Sequence, residues 1–141
     1  GEFSEKAEAN QLEMVVECPQ PPVEIYVDGR HLWRIIDNLM GNICKYAQPG
    51  TRVYVTLEKF HGMVIMTFRN ISKDRLKMTS EELFGRFVRG DSSRNTEGHG
   101  LGLSIAKSLT ELMHGNLAVQ MDGDLFKVIL SFEEYQEDKK Q

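Results

Sequence analysis

The chain has 141 residues, 40% hydrophobic and 27% charged, a balance that fits one soluble globular domain able to bury a sizeable core. Seventeen Lys and Arg against twenty-one Asp and Glu leave a net charge of −4, which excludes a nucleic-acid binder working through a general positive field. Two cysteines, Cys18 and Cys44, form neither a disulfide framework nor a metal-ligand spacing and favour a reducing cytosolic setting; no apolar run reaches membrane-spanning length.

Gly1-Glu2-Phe3 reads as a cloning remnant and Ser4 to Gln11 as a polar, fraying segment, so residues 1–11 are expected to be flexible. Leu12 to Cys18 has strand character and is ended by Pro19, Pro21 and Pro22. A short alternating run, Val23 to Val27, leads to Asp28, a good helix N-cap. From Arg30 the apolar period becomes helical: Leu32, Ile35, Ile36, Leu39 and Ile43 share a face, predicting roughly four turns that stop before Pro49-Gly50. Arg52 to Lys59 and Met63 to Arg69 read as a hairpin across His61-Gly62.

Thr79-Ser80-Glu81-Glu82 fits a capping box opening a short helix with Leu83, Phe84, Phe87 and Val88. Arg89 to Gly100 has no aliphatic residue and reads as a mobile loop. A helix carrying Leu101, Ile105, Leu109 and Leu112 should end near His114-Gly115. Asn116 to Gln120 and Phe126 to Phe132 form a second hairpin around Asp122-Gly123-Asp124, and residues 133–141 form a charged tail expected to be disordered. The expected fold is α+β, with one domain over residues 12–132. It is a two-layer sandwich in which a mixed sheet is covered on one face by about three helices.

Two segments carry candidate chemistry. On the first long helix Asn38 and Asn42 are four residues apart, followed by Lys45 and Tyr46, and all can share a face away from the apolar stripe. An Asn amide oxygen suits Mg²⁺ held mainly by phosphates, Lys supplies a point charge, and Tyr offers an aromatic wall. Solvation of an exposed helix side would also explain these residues, but Asn is a poor helix former and two within one turn need a reason. The second segment, Gly98-His99-Gly100-Leu101-Gly102-Leu103, runs straight into a helix and is suited to phosphate. It is not a dinucleotide fingerprint, because residue 103 is Leu, nor a P-loop, which needs Gly-Lys-Ser/Thr, nor a protein-kinase glycine loop, whose downstream signatures are missing.

Asn38-x-x-x-Asn42-x-x-Lys45-Tyr46, Phe84-x-x-Phe87 and Gly98-x-Gly100-Leu101-Gly102-Leu103 together resemble the N, F and second G boxes of sensor histidine kinases. Their order and separation match the catalytic ATP-binding domain, of the superfamily shared with gyrase and the large heat-shock chaperones, over roughly Val23 to Phe132. The resemblance implies ATP and Mg²⁺ as cofactors, with Asn42 as catalytic residue and metal ligand, Asn38 beside it, Lys45 on the phosphates and Tyr46 near the adenine. Arg89 to Glu97 would form an ATP lid, with Arg94 approaching the γ-phosphate and Phe84 and Phe87 anchoring the lid. Gly98, Gly100 and Gly102 would let backbone wrap the triphosphate, with His99, Leu101 and Leu103 lining the same turn.

The chain departs from the family pattern at two places. The first G box, Asp-x-Gly-x-Gly, corresponds to Asn70, Ser72 and Asp74, so the adenine amino group would meet an amide oxygen instead of a carboxylate. The C-terminal glycine-threonine becomes Gly123-Asp124. The implied activity is that of a protein histidine kinase in two-component signalling. ATP, a histidine-bearing dimerisation domain of the same homodimeric kinase and a response regulator would be the partners, with no nucleic acid and no direct membrane contact. It would be the cytoplasmic part of an integral-membrane parent. None of its four histidines has a His-Glu-Leu-Arg-Thr-Pro-like setting, so the phosphoacceptor is expected elsewhere. The alternatives are a catalytically weakened nucleotide-binding regulatory module and an anti-sigma-type serine kinase.

Overall fold

The computed structural model describes residues 2–18, 25–73 and 101–134. The described chain runs α1 (Glu2–Ala9), β1 (Glu13–Glu17), α2 (Gly29–Tyr46), β2 (Arg52–Phe60), β3 (Met63–Ile71), α3 (Leu101–Leu112), β4 (Asn116–Asp122) and β5 (Leu125–Glu133). The capping box at Thr79–Glu82, the Phe84/Phe87 helix, the lid segment and the charged tail beyond Glu134 lie outside the described residues, as do Val23 and Glu24 of the Val23–Val27 run. Of that run, Ile25 makes an isolated antiparallel bridge to Glu134.

The strands form one five-stranded sheet in the order β1-β2-β3-β5-β4. β1 runs parallel to β2, and the other neighbours are antiparallel, which makes the sheet mixed. Two parallel neighbours need a crossover, and the chain supplies it with α2. The β2–β3 hairpin turns on His61 and Gly62, at φ +53° and +79°, a left-handed pair that matches the twist of the flanking strands.

Strand alternation sends Val53, Val64, Phe68, Leu117, Val128, Leu130 and Phe132 to the helical side, where they are buried. All of these but Val64 join Ile35, Leu39, Met40 and Ile43 of α2 and Leu103 and Ala106 of α3 in one core. Each fully buried aliphatic or aromatic side chain there stabilises the fold by about 1.5–3 kcal/mol. α3 ends at the expected place: His114 takes φ +67°, and Gly115 follows because a Cβ there would sit 2.4 Å from Cε1 of Phe132.

The N-terminus differs from expectation. The segment read as fraying is helical over Glu2–Ala9, with Ala7 wholly buried and Lys6 paired to Asp37 of α2 at 3.2 Å. Gln11, at φ +62°, turns the chain, and the Leu12 amide donates to the Ala7 carbonyl at 2.9 Å. Among the described side chains, Ala7 and, after the turn, Leu12 are the buried apolar ones here, too few to register as an apolar stripe in the sequence.

Candidate functional site

α2 is the floor of the site. Asp28 caps it, its carboxylate accepting from the Arg30 amide at 2.8 Å and the His31 amide at 3.4 Å. Those two backbone donors hold the Asp28 carboxyl below the usual range. The apolar stripe turns inward, leaving Asn38, Asn42 and Tyr46, spaced by four, half-buried along an adjoining face, with Lys45 exposed beside them. Burial alone pushes the Tyr46 phenol up to about 12, so its ring is a neutral surface throughout the physiological range.

One end of this face is closed by β3. The Gln48 amide donates to the Ile71 carbonyl at 2.7 Å, the Lys73 amide to the Tyr46 carbonyl at 2.9 Å, and Ala47 bridges Ser72. The Ser72 amide in turn donates to the Asp124 carbonyl at 2.8 Å, tying in the β4–β5 turn. Asn70, two residues before this junction, is only 3% exposed, and its Oδ1 has no hydrogen-bond partner among the described residues.

The other end is met by the start of α3. Gly102 lies against Asn38, where an added Cβ would come 3.8 Å from the Asn38 Cβ. Asn38 Nδ2 and Ser104 Oγ are both buried without a hydrogen-bond partner among the described residues. The first turn of α3 carries no acidic residue, so no carboxylate of that turn competes at its positive end. Buried polar atoms are nearly always paired, because each unpaired one costs about 1–3 kcal/mol. Here unpaired atoms flank a helix N-terminus and stand at the opposite end of the same floor.

Of the residues expected from sequence, Asn38, Asn42, Lys45, Tyr46, Asn70 and Gly102 therefore border one region. Leu101 opens α3, while Leu103 is spent in the core at 2% exposure. Arg94, Gly98, His99, Gly100, Phe84 and Phe87 lie outside the described residues. Ser104 and the Ser72–Asp124 link were not singled out by the sequence. A serine in a first helical turn is the only signal Ser104 offers, and the link joins residues too far apart for any local pattern.

No group of three His, Cys, Asp or Glu side chains among the described residues could hold a metal ion. A divalent cation at this floor would depend on amide oxygen and on phosphate, a donor set that fits Mg²⁺.

A mixed sheet with helices on one face, an asparagine-lined helix and a glycine-started helix facing it define an ATP-binding α+β domain. Residues 27–136 match the family described as histidine kinase-, DNA gyrase B- and HSP90-like ATPase, and the chain belongs to that family. Its relatives include the sensor histidine kinase RppB of Synechocystis, 33% identical over 134 residues that cover 92% of this chain and 30% of RppB. Sensor histidine kinase HprS of Escherichia coli K12 is 38% identical over 104 residues, 73% of this chain and 22% of HprS. The chain thus spans less than a third of these relatives.

The fold is shared with the nucleotide-free catalytic domain of histidine kinase ThkA, with a TM-score of 0.76 at 20% identity over 93% of this chain and 84% of that one. It is also shared with full-length ShkA in complex with AMPPNP, with a TM-score of 0.74 at 23% identity over 96% of this chain and 28% of ShkA. The chain is a catalytic ATP-binding domain of the sensor histidine kinase type.

Proposed function

We propose that this domain binds Mg²⁺–ATP between α2 and the start of α3. It would present the γ-phosphoryl for in-line attack by a histidine on the dimerisation domain of its own kinase, which then serves a response regulator. The observation that carries the reading is the set of buried, unpaired polar atoms on one floor. Asn70 Oδ1 is an acceptor suited to an adenine amino group, while Asn38 Nδ2 and Ser104 Oγ stand where the α3 N-terminus favours phosphate.

Asn42 would hold Mg²⁺ through its amide oxygen, with Asn38 beside it. When bound, the ion neutralises phosphate charge. Lys45, exposed at the rim, adds a point charge for the phosphates, and the Tyr46 ring offers the base a neutral face. Gly102, without a side chain, lets the α3 backbone approach. The protein contribution is positioning and charge neutralisation, with no covalent step on its own side chains. Arg94, Gly98, His99 and Gly100, with Phe84 and Phe87 as anchors, belong to the same reading as a lid over the triphosphate.

Melting the domain with and without Mg²⁺ and a non-hydrolysable ATP analogue tests this. At about 100 times Kd, binding adds about 2.7 kcal/mol, a rise of several degrees in Tm. No shift at millimolar analogue overturns the nucleotide site. Asn42→Ala is expected to abolish the Mg²⁺-dependent part of the shift while the ligand-free stability stays within about 0.5 kcal/mol of the parent. Unchanged Mg²⁺ dependence removes Asn42 from the metal.

A further inference from the structure

The sheet brings together the amide at position 70 and the carboxylate at position 124, the two places where the sequence departs from the family pattern. Asn70 stands opposite Phe126 in the β3–β5 ladder, and both are buried on the helical side. The bond from the Ser72 amide to the Asp124 carbonyl, 2.8 Å, continues that ladder one pair past Ile71 and Leu125. Alternation therefore puts Ser72 and Asp124 on the same face as Asn70 and Phe126, and Ser72 is accordingly buried while Ile71 beside it is exposed. Diagonal neighbours in such a ladder lie about 7–8 Å apart, close enough for two side chains to meet one planar base.

The two groups are free to bind in different ways. Asn70 Oδ1 is buried with no hydrogen-bond partner among the described residues, and its amide nitrogen makes no hydrogen bond to a described residue either. An amide held at neither end can turn over and present a donor or an acceptor. Asp124 is exposed, forms no ion pair with a described residue, and offers acceptors only.

Along its hydrogen-bonding edge adenine presents a 6-amino donor and then the N1 lone pair. Guanine presents a 6-oxo acceptor and then two donors, N1–H and the 2-amino group. Asn70 serves both, through Oδ1 to the 6-amino group or, turned over, through Nδ2 to the 6-oxo group. A carboxylate at position 70 would set lone pairs against the 6-oxo group and accept adenine alone. At position 124 a carboxylate has the opposite bias. It meets a lone pair at adenine N1 but two N–H groups in guanine, and those bonds are charge-assisted.

We propose that Asn70 and Asp124 make the base end of this site accept guanine, so that Mg²⁺–GTP is a ligand alongside Mg²⁺–ATP, with Asp124 as the residue that recognises it. The proposal rests on the nucleotide site argued above and adds a second substrate class to it.

Isothermal titration of the domain with Mg²⁺ and non-hydrolysable analogues of ATP and GTP tests this. The GTP analogue is expected to bind at least as tightly as the ATP analogue. Asp124→Thr should weaken the GTP analogue about tenfold and leave the ATP analogue bound no less tightly, which also shows the variant folded. Asp124→Asn should lose GTP-analogue affinity in the same way and gain xanthosine triphosphate, whose 2-oxo group accepts from an amide donor. A merely structural role for the side chain would not exchange one base for another. A GTP analogue bound more weakly than the ATP analogue, or a preference unchanged in both Asp124 variants, overturns guanine recognition and leaves the ATP site standing. Binding of neither analogue overturns the nucleotide site itself.

Discussion

Asn70 shows how far one amide can stand in for a carboxylate. Its oxygen is buried with no partner among the described residues, so it can accept from an adenine amino group without carrying a charge into the interior. Asn70→Asp reverses both terms. A charge-assisted bond exceeds a neutral one by about 1 kcal/mol, so ATP should bind about fivefold more tightly. Without ligand a buried carboxylate replaces a neutral amide, and the variant should lose at least about 1 kcal/mol of stability. Inosine triphosphate, which has no amino group, should gain nothing. Isothermal titration with both nucleotides decides this, and an equal gain for both takes Asn70 off the amino group. The Asn38–Asn42 spacing and the family pattern around Asn70 were visible in the sequence, but that Asn38 Nδ2, Asn70 Oδ1 and Ser104 Oγ are buried without a partner among the described residues is a property of packing.

At the scale of elements, α2 and both hairpins follow from local rules: a capping aspartate, a 3.6-residue stripe and alternation around short turns. α1 does not, since it depends on Ala7 and Lys6 finding partners on other elements. Two glycines separate local from tertiary demands. Gly41, inside α2, has nothing within 4 Å of a built Cβ, so Gly41→Ala should stabilise the domain by about 1 kcal/mol. Gly115→Ala forces a methyl into the Phe132 ring and should cost about 1–3 kcal/mol or more. Urea denaturation of the pair gives opposite signs. Stabilisation by Gly115→Ala would mean that the α3–β4 junction is looser than its contacts indicate.

For the molecule as a whole, the expected nucleotide end and the described turn histidines are far apart. His61 precedes β3 at the end opposite Asn70, and His114 follows α3 at the end opposite Gly102. A nine-residue strand spans roughly 27 Å. With none of its four histidines in a phosphoacceptor-like sequence setting, the domain should bind ATP without labelling itself, and transfer label only to a separately supplied histidine-bearing helical domain. Incubation with γ-labelled ATP, read by acid-labile label on this chain alone, checks this, and label there would contradict it.

The pairing of β3 with β5, from Met63 opposite Glu133 to Ile71 opposite Leu125, closes a loop around everything between them. The segment joining β3 to α3 lies inside that closed loop. Doubling the length of a flexible loop adds only about 0.6 kcal/mol to its closure entropy. Closure by this register is therefore nearly indifferent to the length of whatever flexible part the connection has, and single-residue changes there should leave the five strands paired as they are.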